Sequence, residues 1–188
     1  MSRYPSIGEQ MNAMPTNRGL YDPRFDHDAC GVAFVARIAG GPAHEVVQSG
    51  LQALINLAHR GASGADPNSG DGAGILVQLP DEFMRRVAGM QLPAPGGYGV
   101  GVVFLPANPA DRELCEQVVA AACADEGLRV LGWRDVPTDA EAAGMSARAL
   151  MPAIRQVFVA TIGLQGETLE RRLYVLRRII ERKALEAG

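Results

Sequence analysis

Pattern alone predicts an α/β fold with a parallel sheet. Short apolar, strand-like runs alternate with segments of helical period, the helical segments carry start and stop signals, and 47% hydrophobic residues in 188 can supply a core. That length fits one domain or a piece of a larger one.

Gly31 to Ile38 reads as a buried strand, ended by Gly40-Gly41-Pro42. A helix is expected from about Ala43 to His59. Val47, Leu51, Leu54 and Ala58 recur there at three- and four-residue steps, with Pro42 suited to the first turn and Gly61 to the C-terminal cap. Gly74 to Leu79 is a short strand candidate, Asp81 to Ala88 a short helix begun by two acids, and Tyr98 to Leu105 another strand. Asn108-Pro109 starts a helix that runs to about Glu126, with Leu114, Val118 and Ala122 inward and Gly127 as its stop. Leu128 to Trp133 and Arg155 to Ile162 are further strands, and the alanine-rich Thr138 to Ala149 between them carries no pattern that assigns it. The last helix, Thr168 to Ala187, turns Leu169, Leu173, Leu176 and Ile180 inward.

Composition excludes several function classes. A formal net charge of -3 gives no general attraction to nucleic acid or to an anionic membrane surface. Arg171, Arg172, Arg177, Arg178, Arg182 and Lys183 on the last helix are interspersed with Glu170 and Glu181, which marks a solvated or domain-contacting face. Three cysteines at unrelated spacings make no disulfide framework, so a reducing cytoplasm is the expected compartment. Met1 to Asp28 holds Pro5, Pro15 and Pro23 and no apolar run long enough for a secretory signal or a membrane span; it reads as an irregular arm that packs on the domain or is trimmed away.

Cys30 opens the run Asp28-Ala29-Cys30-Gly31-Val32-Ala33-Phe34-Val35-Ala36. A cysteine that becomes the amino terminus carries its own base, because a free α-amino group has a pKa of about 7.7–8.0 and can take the thiol proton near neutrality. The ordinary alternative is a small buried hydrophobe. Other site readings fail on spacing. Gly70-Asp71-Gly72-Ala73-Gly74 precedes a strand, whereas a dinucleotide fingerprint follows one. The Asp66-to-Asp71 stretch has Asp71 where a calcium loop needs glycine and Val77 where it needs glutamate. His27, Cys30, His44 and His59 lack a second closely spaced ligand pair for zinc, so no metal site is expected.

Four segments, taken together, decide between the readings of Cys30. Asp28-Ala29-Cys30-Gly31-Val32, Leu51 to Ala62 with its His59-Arg60-Gly61 turn, Gly64-Ala65-Asp66-Pro67, and Gly70-Asp71-Gly72-Ala73-Gly74-Ile75-Leu76 resemble, in order and spacing, the start of the class II glutamine amidotransferase domain of the glutamate synthase large-subunit family. Pro152 to Val159 and Leu169 to Arg177 are similar to later stretches of that family, so the resemblance runs from about Tyr21 to the end. It implies an α+β fold, the four-layer αββα sandwich of N-terminal-nucleophile hydrolases with antiparallel sheets, in place of the parallel sheet. It also implies that Met1 to Ala29 is a propeptide, and that residues 30–188 are the N-terminal part of the amidotransferase domain. Cys30 would hydrolyse glutamine to glutamate and ammonia, the ammonia being channelled to the amination of 2-oxoglutarate. Arg60 would lie near the nucleophile, to orient or electrostatically support it, its alternative being a cation at a helix C-terminus. Asp66 and Asp71 are expected to satisfy backbone donors in their loop.

The implied cofactors of the complete enzyme, FMN, an iron–sulfur cluster and NAD(P)H or ferredoxin, have their sites outside this segment. The implied partners are glutamine, the remaining synthase domains and a small electron-donating subunit, with no nucleic acid and no membrane. One departure stands against the matches. The family completes its oxyanion hole with an Asn-Gly pair, and Asn12, Asn17, Asn56, Asn68 and Asn108 here precede Ala, Arg, Leu, Ser and Pro. The oxyanion and substrate-clamp residues are thus absent from this sequence, and the loss of one oxyanion donor costs about a hundredfold or more in rate. A truncated, unprocessed and inactive fragment with a structural or assembly role is the alternative expectation.

Overall fold

The computed structural model describes residues 31–61, 66, 68–70 and 72–187. The chain divides into two units, Met1–Gly61 and Ala62–Gly188.

In the first unit, helix α1 spans His44–Asn56 and a 3-10 turn, Ala58–Arg60, follows it. The helix begins one residue after Ala43, which offers no side-chain cap, so Pro42 lies just outside the first turn. Its apolar stripe is half-buried at Val46, Val47, Ala53 and Leu54, while Leu51 and Ile55 are exposed. The expected strand at Gly31 to Ile38 does not form: residues 31–37 have no regular secondary structure, and Val32 and Phe34 are 86% and 90% exposed. Gly74 to Leu79 is likewise outside any strand. A strand exists only where a second strand takes its N–H and C=O groups, and neither run has one among the described residues.

The second unit begins its regular structure with helix α2, Asp81–Val87, and continues with strand β1, Tyr98–Leu105. Helix α3, Pro109–Asp125, starts where Asn108 Oδ1 accepts the Ala110 N–H at 3.0 Å, with Pro109 in the first turn. It ends before Gly127 at φ +69°. Strand β2 is Arg129–Asp135; a 3-10 turn, Ala140–Ala142, and a short helix α4, Met145–Ala149, fill the stretch that had no assignment. Strand β3, Ala153–Ala160, and helix α5, Gly166–Ala187, complete the order.

The sheet runs β1-β3-β2 and is antiparallel throughout, which corrects the parallel expectation. Both β1 and β2 run opposite to β3, and therefore alongside each other in direction. The β1-α3-β2 passage is thus a crossover of the kind the alternating pattern suggests, but β3 enters between its two strands. Tyr98 pairs with Ala160 and Leu105 with Ala153, while the β2–β3 register shifts between Val130 and Gly132. The architecture is α+β.

Alternation along β3 builds two cores. Val157 and Val159 face α3 and α5, meeting Val119, Ala122, Cys123, Leu169 and Leu176. The expected inward stripe of α3 is met in part: Ala122 is buried as read, whereas Leu114 is exposed and Val119 and Cys123 complete the buried face. On the other face, Phe158 and Ala160 pack with Tyr98, Met84 and Ala88 under α2. This cover is partial, since Val102 and Phe104, further along the Tyr98 face of β1, are exposed. Arg155 ties the first core's edge together, pairing with Glu116 on α3 and, at 2.7 Å, with Asp135 on β2, over the Trp133 ring. No helix among the described residues is long and apolar enough to cross a membrane.

Candidate functional site

Cys30 lies outside the described residues, as do Asp71 and His27. Its neighbour Gly31 is described. A Cβ on Gly31 would come within 3.2 Å of Leu57 Cδ2, so the backbone one residue past Cys30 runs against the end of α1. That close approach suits a residue without a side chain. Leu57 is followed at once by the 3-10 turn that contains His59 and ends at Arg60, where the Gly61 N–H donates to the Ala58 carbonyl at 3.2 Å. Within the first unit, the chain leading out of Cys30 and the backbone of the His59-Arg60-Gly61 turn therefore converge on one end of one helix. His59 Nδ1 sits 2.8 Å from the Asn56 carbonyl oxygen, a local bond that closes the end of α1. Gly61 is extended, at φ -79°, so the turn ends without the left-handed glycine cap expected there.

In the second unit Asp66 serves as a backbone acceptor, as read from sequence. Its Oδ2 accepts from the Ser146 N–H at 3.2 Å and from Ser69 Oγ at 3.0 Å, and its Oδ1 accepts from the Asn68 N–H at 3.4 Å. The Ser146 bond, ahead of those from Ser69 and Asn68, holds the Asp66 carboxyl below the ordinary carboxylate range. The partner segment was missed: Gly144 and Ser146 lie far along the chain, in the alanine-rich stretch, and no local pattern announces a contact of that separation.

Cys123 is fully buried in the first core, and burial pushes its thiol up to about 11, which makes it inert near neutrality. Cys115 is half-buried on α3. Among the described residues no group of three His, Cys, Asp or Glu side chains is arranged to hold a metal ion. With one thiol sealed in the core, the α3 cysteines do not fit an iron–sulfur cluster, which needs converging thiolates. A cavity of about 500 Å³ between Met90–Pro93 and Arg129–Leu131 contains none of the candidate residues.

The family model for class-II glutamine amidotransferases matches residues 30–188. The chain belongs to the class-II glutamine amidotransferases. It is 42% identical over 180 residues to the glutamate synthase [NADPH] large chain of Bacillus subtilis (strain 168), a match covering 94% of this chain and 12% of that protein. It is also 42% identical over 165 residues to ferredoxin-dependent glutamate synthase 2 of Synechocystis, covering 86% of this chain and 11% of the relative. Glutamate synthase [NADH] of Saccharomyces cerevisiae is 40% identical over 181 residues, covering 89% and 8%. This class-II amidotransferase chain thus spans about a tenth of the length of the curated relatives it matches.

Proposed function

We propose that this chain supplies the glutamine-hydrolysing part of a glutamate synthase large subunit, with Cys30 as the nucleophile. The observation that carries the reading is the family match, which begins at Cys30 and continues through residue 188. In this reading Met1 to Ala29 is removed, so the nitrogen of Cys30 becomes a free amine. That amine takes the thiol proton; the thiolate attacks the side-chain carbonyl carbon of glutamine, and the C–N bond breaks as the proton passes to the departing nitrogen. Ammonia leaves and a γ-glutamyl thioester remains. Water then attacks the thioester, giving glutamate and the free thiol. Arg60, at the end of the turn after α1, would stabilise the thiolate or orient it as a fixed positive charge.

The ammonia would be consumed by reductive amination of 2-oxoglutarate in the remaining synthase domains. Glutamine hydrolysis transfers no electrons, so FMN, an iron–sulfur cluster and NAD(P)H or ferredoxin would serve that second reaction. A four-layer sandwich is the proposed full architecture, the uncovered Val102 and Phe104 face being the surface that a second sheet would cover. Ammonia release from glutamine by the full-length protein, compared with its Cys30→Ala variant, tests the reading; equal rates in the two would end it.

A further inference from the structure

We infer that Asp66 is a positioning residue whose carboxylate docks Asp66 and residues 68–70 onto the start of α4, and that Gly144 is the landing point this docking requires. Asp66 Oδ2 receives the Ser146 N–H at 3.2 Å and Ser69 Oγ at 3.0 Å, while the Gly144 N–H donates to the Asn68 carbonyl oxygen at 2.9 Å. Two N–H donors of one segment, Gly144 and Ser146, thus bond to acceptors of a loop up to 80 residues away in the chain. Gly144 is buried, and a Cβ built on it would overlap both Asp66 Oδ2 and Ser69 Oγ at 2.6 Å or less. Its φ is -63°, so close approach, and not backbone conformation, is what demands glycine.

The charged group nearest in sequence on the partner segment, Arg148, is engaged elsewhere: it reaches the Glu141 carboxylate and the carbonyls of Glu141 and Ala143. The carboxylate is therefore held by N–H and O–H donors, whose geometry fixes the direction from which the loop arrives. Nothing in the glutaminase chemistry proposed above uses Asp66 as acid, base or nucleophile. Its effect on turnover rests on that proposal and would pass through the glycine-rich stretch in which it sits.

The test uses full-length protein, with Asp66→Ala, Asp66→Asn and Gly144→Ala, read by amide hydrogen exchange and by glutamine turnover. Exchange at residues 68–70 and 144–146 should rise about tenfold or more in Asp66→Ala and Gly144→Ala. It should stay unchanged in β1 and β3, and Asp66→Asn, which keeps one acceptor, should recover most of the protection. Turnover should fall about tenfold in the first two variants, and Asp66→Asn should restore most of it. Unchanged local exchange, or a rise spread over the whole sheet, would overturn the docking. A local rise with unchanged turnover would overturn the positioning role. Absence of turnover in the unsubstituted protein would count against the glutaminase reading, with the exchange result still deciding the docking.

Discussion

The Tyr98 hydroxyl donates to Asp81 Oδ1 at 2.8 Å, joining the first residue of β1 to the first residue of α2. Arg85 completes the junction: it grips Asp81 at 2.8 and 3.0 Å and also donates to the carbonyls of Leu92 and Pro93. One carboxylate thereby fixes the helix, the strand and the chain between them. The bond from Arg85 holds the Asp81 carboxyl below its usual range, while burial, helped by Asp81, pushes Tyr98 up to about 12.

The two groups act at opposite ends of the pH scale. Asp81 stabilises the fold at pH values above its unfolded pKa, and that contribution is lost as pH falls through the lowered folded value. Tyr98 contributes fully below about pH 10, its ordinary value, and that contribution is lost as pH rises toward 12. Tyr98→Phe should cost about 1 kcal/mol at neutral pH and remove this tyrosine's share of the alkaline loss. Urea unfolding at pH 7 and at pH 10 to 11 checks both.

Gly99 on β1 has no room for a side chain, because a Cβ there would overlap Leu173 of α5. Gly99→Ala should therefore destabilise the second unit by about 1–3 kcal/mol, through overpacking. Gly101→Ala should cost less, since its Cβ would meet Val157 Cγ1 at 3.3 Å. Leu173→Ala alone should also destabilise, yet Gly99→Ala combined with it should cost less than the sum of the two. Denaturant midpoints of the four proteins test the coupling.

The uncovered sheet face predicts how residues 1–188 behave when produced alone. Val102 and Phe104 present apolar surface beside edge strand β1. Concentration-dependent association should follow, and Val102→Thr with Phe104→Ser should reduce it in sedimentation or light-scattering measurements.

Elements that specify themselves locally were legible in the sequence. Tyr98 to Leu105 was bounded correctly, and Asn108-Pro109 marked the start of α3 because a cap and a first-turn proline act within a few residues. Leu169 and Leu176 were rightly turned inward on α5. On α3, Ala122 was rightly turned inward, while Leu114 is exposed and Val119 and Cys123 are core, since alanines on several faces blur the helix's period. Sheet direction was illegible, because the insertion of β3 between β1 and β2 is a long-range choice. Gly31 to Ile38 shows the same limit, for an apolar run announces a strand but not its partner. At the candidate site, the role of Asp66 as a backbone acceptor was readable from its loop context, and its partners Gly144 and Ser146 were not.

The three cysteines should separate by reactivity. Cys123, sealed in the core with its thiol pushed up to about 11, should resist alkylation in the folded protein, and Cys115, half-buried, should react slowly. A glutamine-like electrophile should label Cys30 alone. Cys115→Ala and Cys123→Ala should leave glutamine turnover in the full-length protein within about a factor of two, because neither thiol takes part in the proposed chemistry. Peptide mapping after labelling, with turnover of each variant, checks these outcomes.

The central claim is that the amine and thiol of one residue carry the glutaminase chemistry. N-terminal sequencing and intact mass of full-length protein, combined with glutamine turnover on the same sample, test it most directly. The account predicts that active protein begins at Cys30, and that Cys30→Ala lowers turnover by about a thousandfold or more. Sustained turnover by protein that still carries Met1 to Ala29 would contradict it, since an amide nitrogen at Cys30 cannot take the thiol proton.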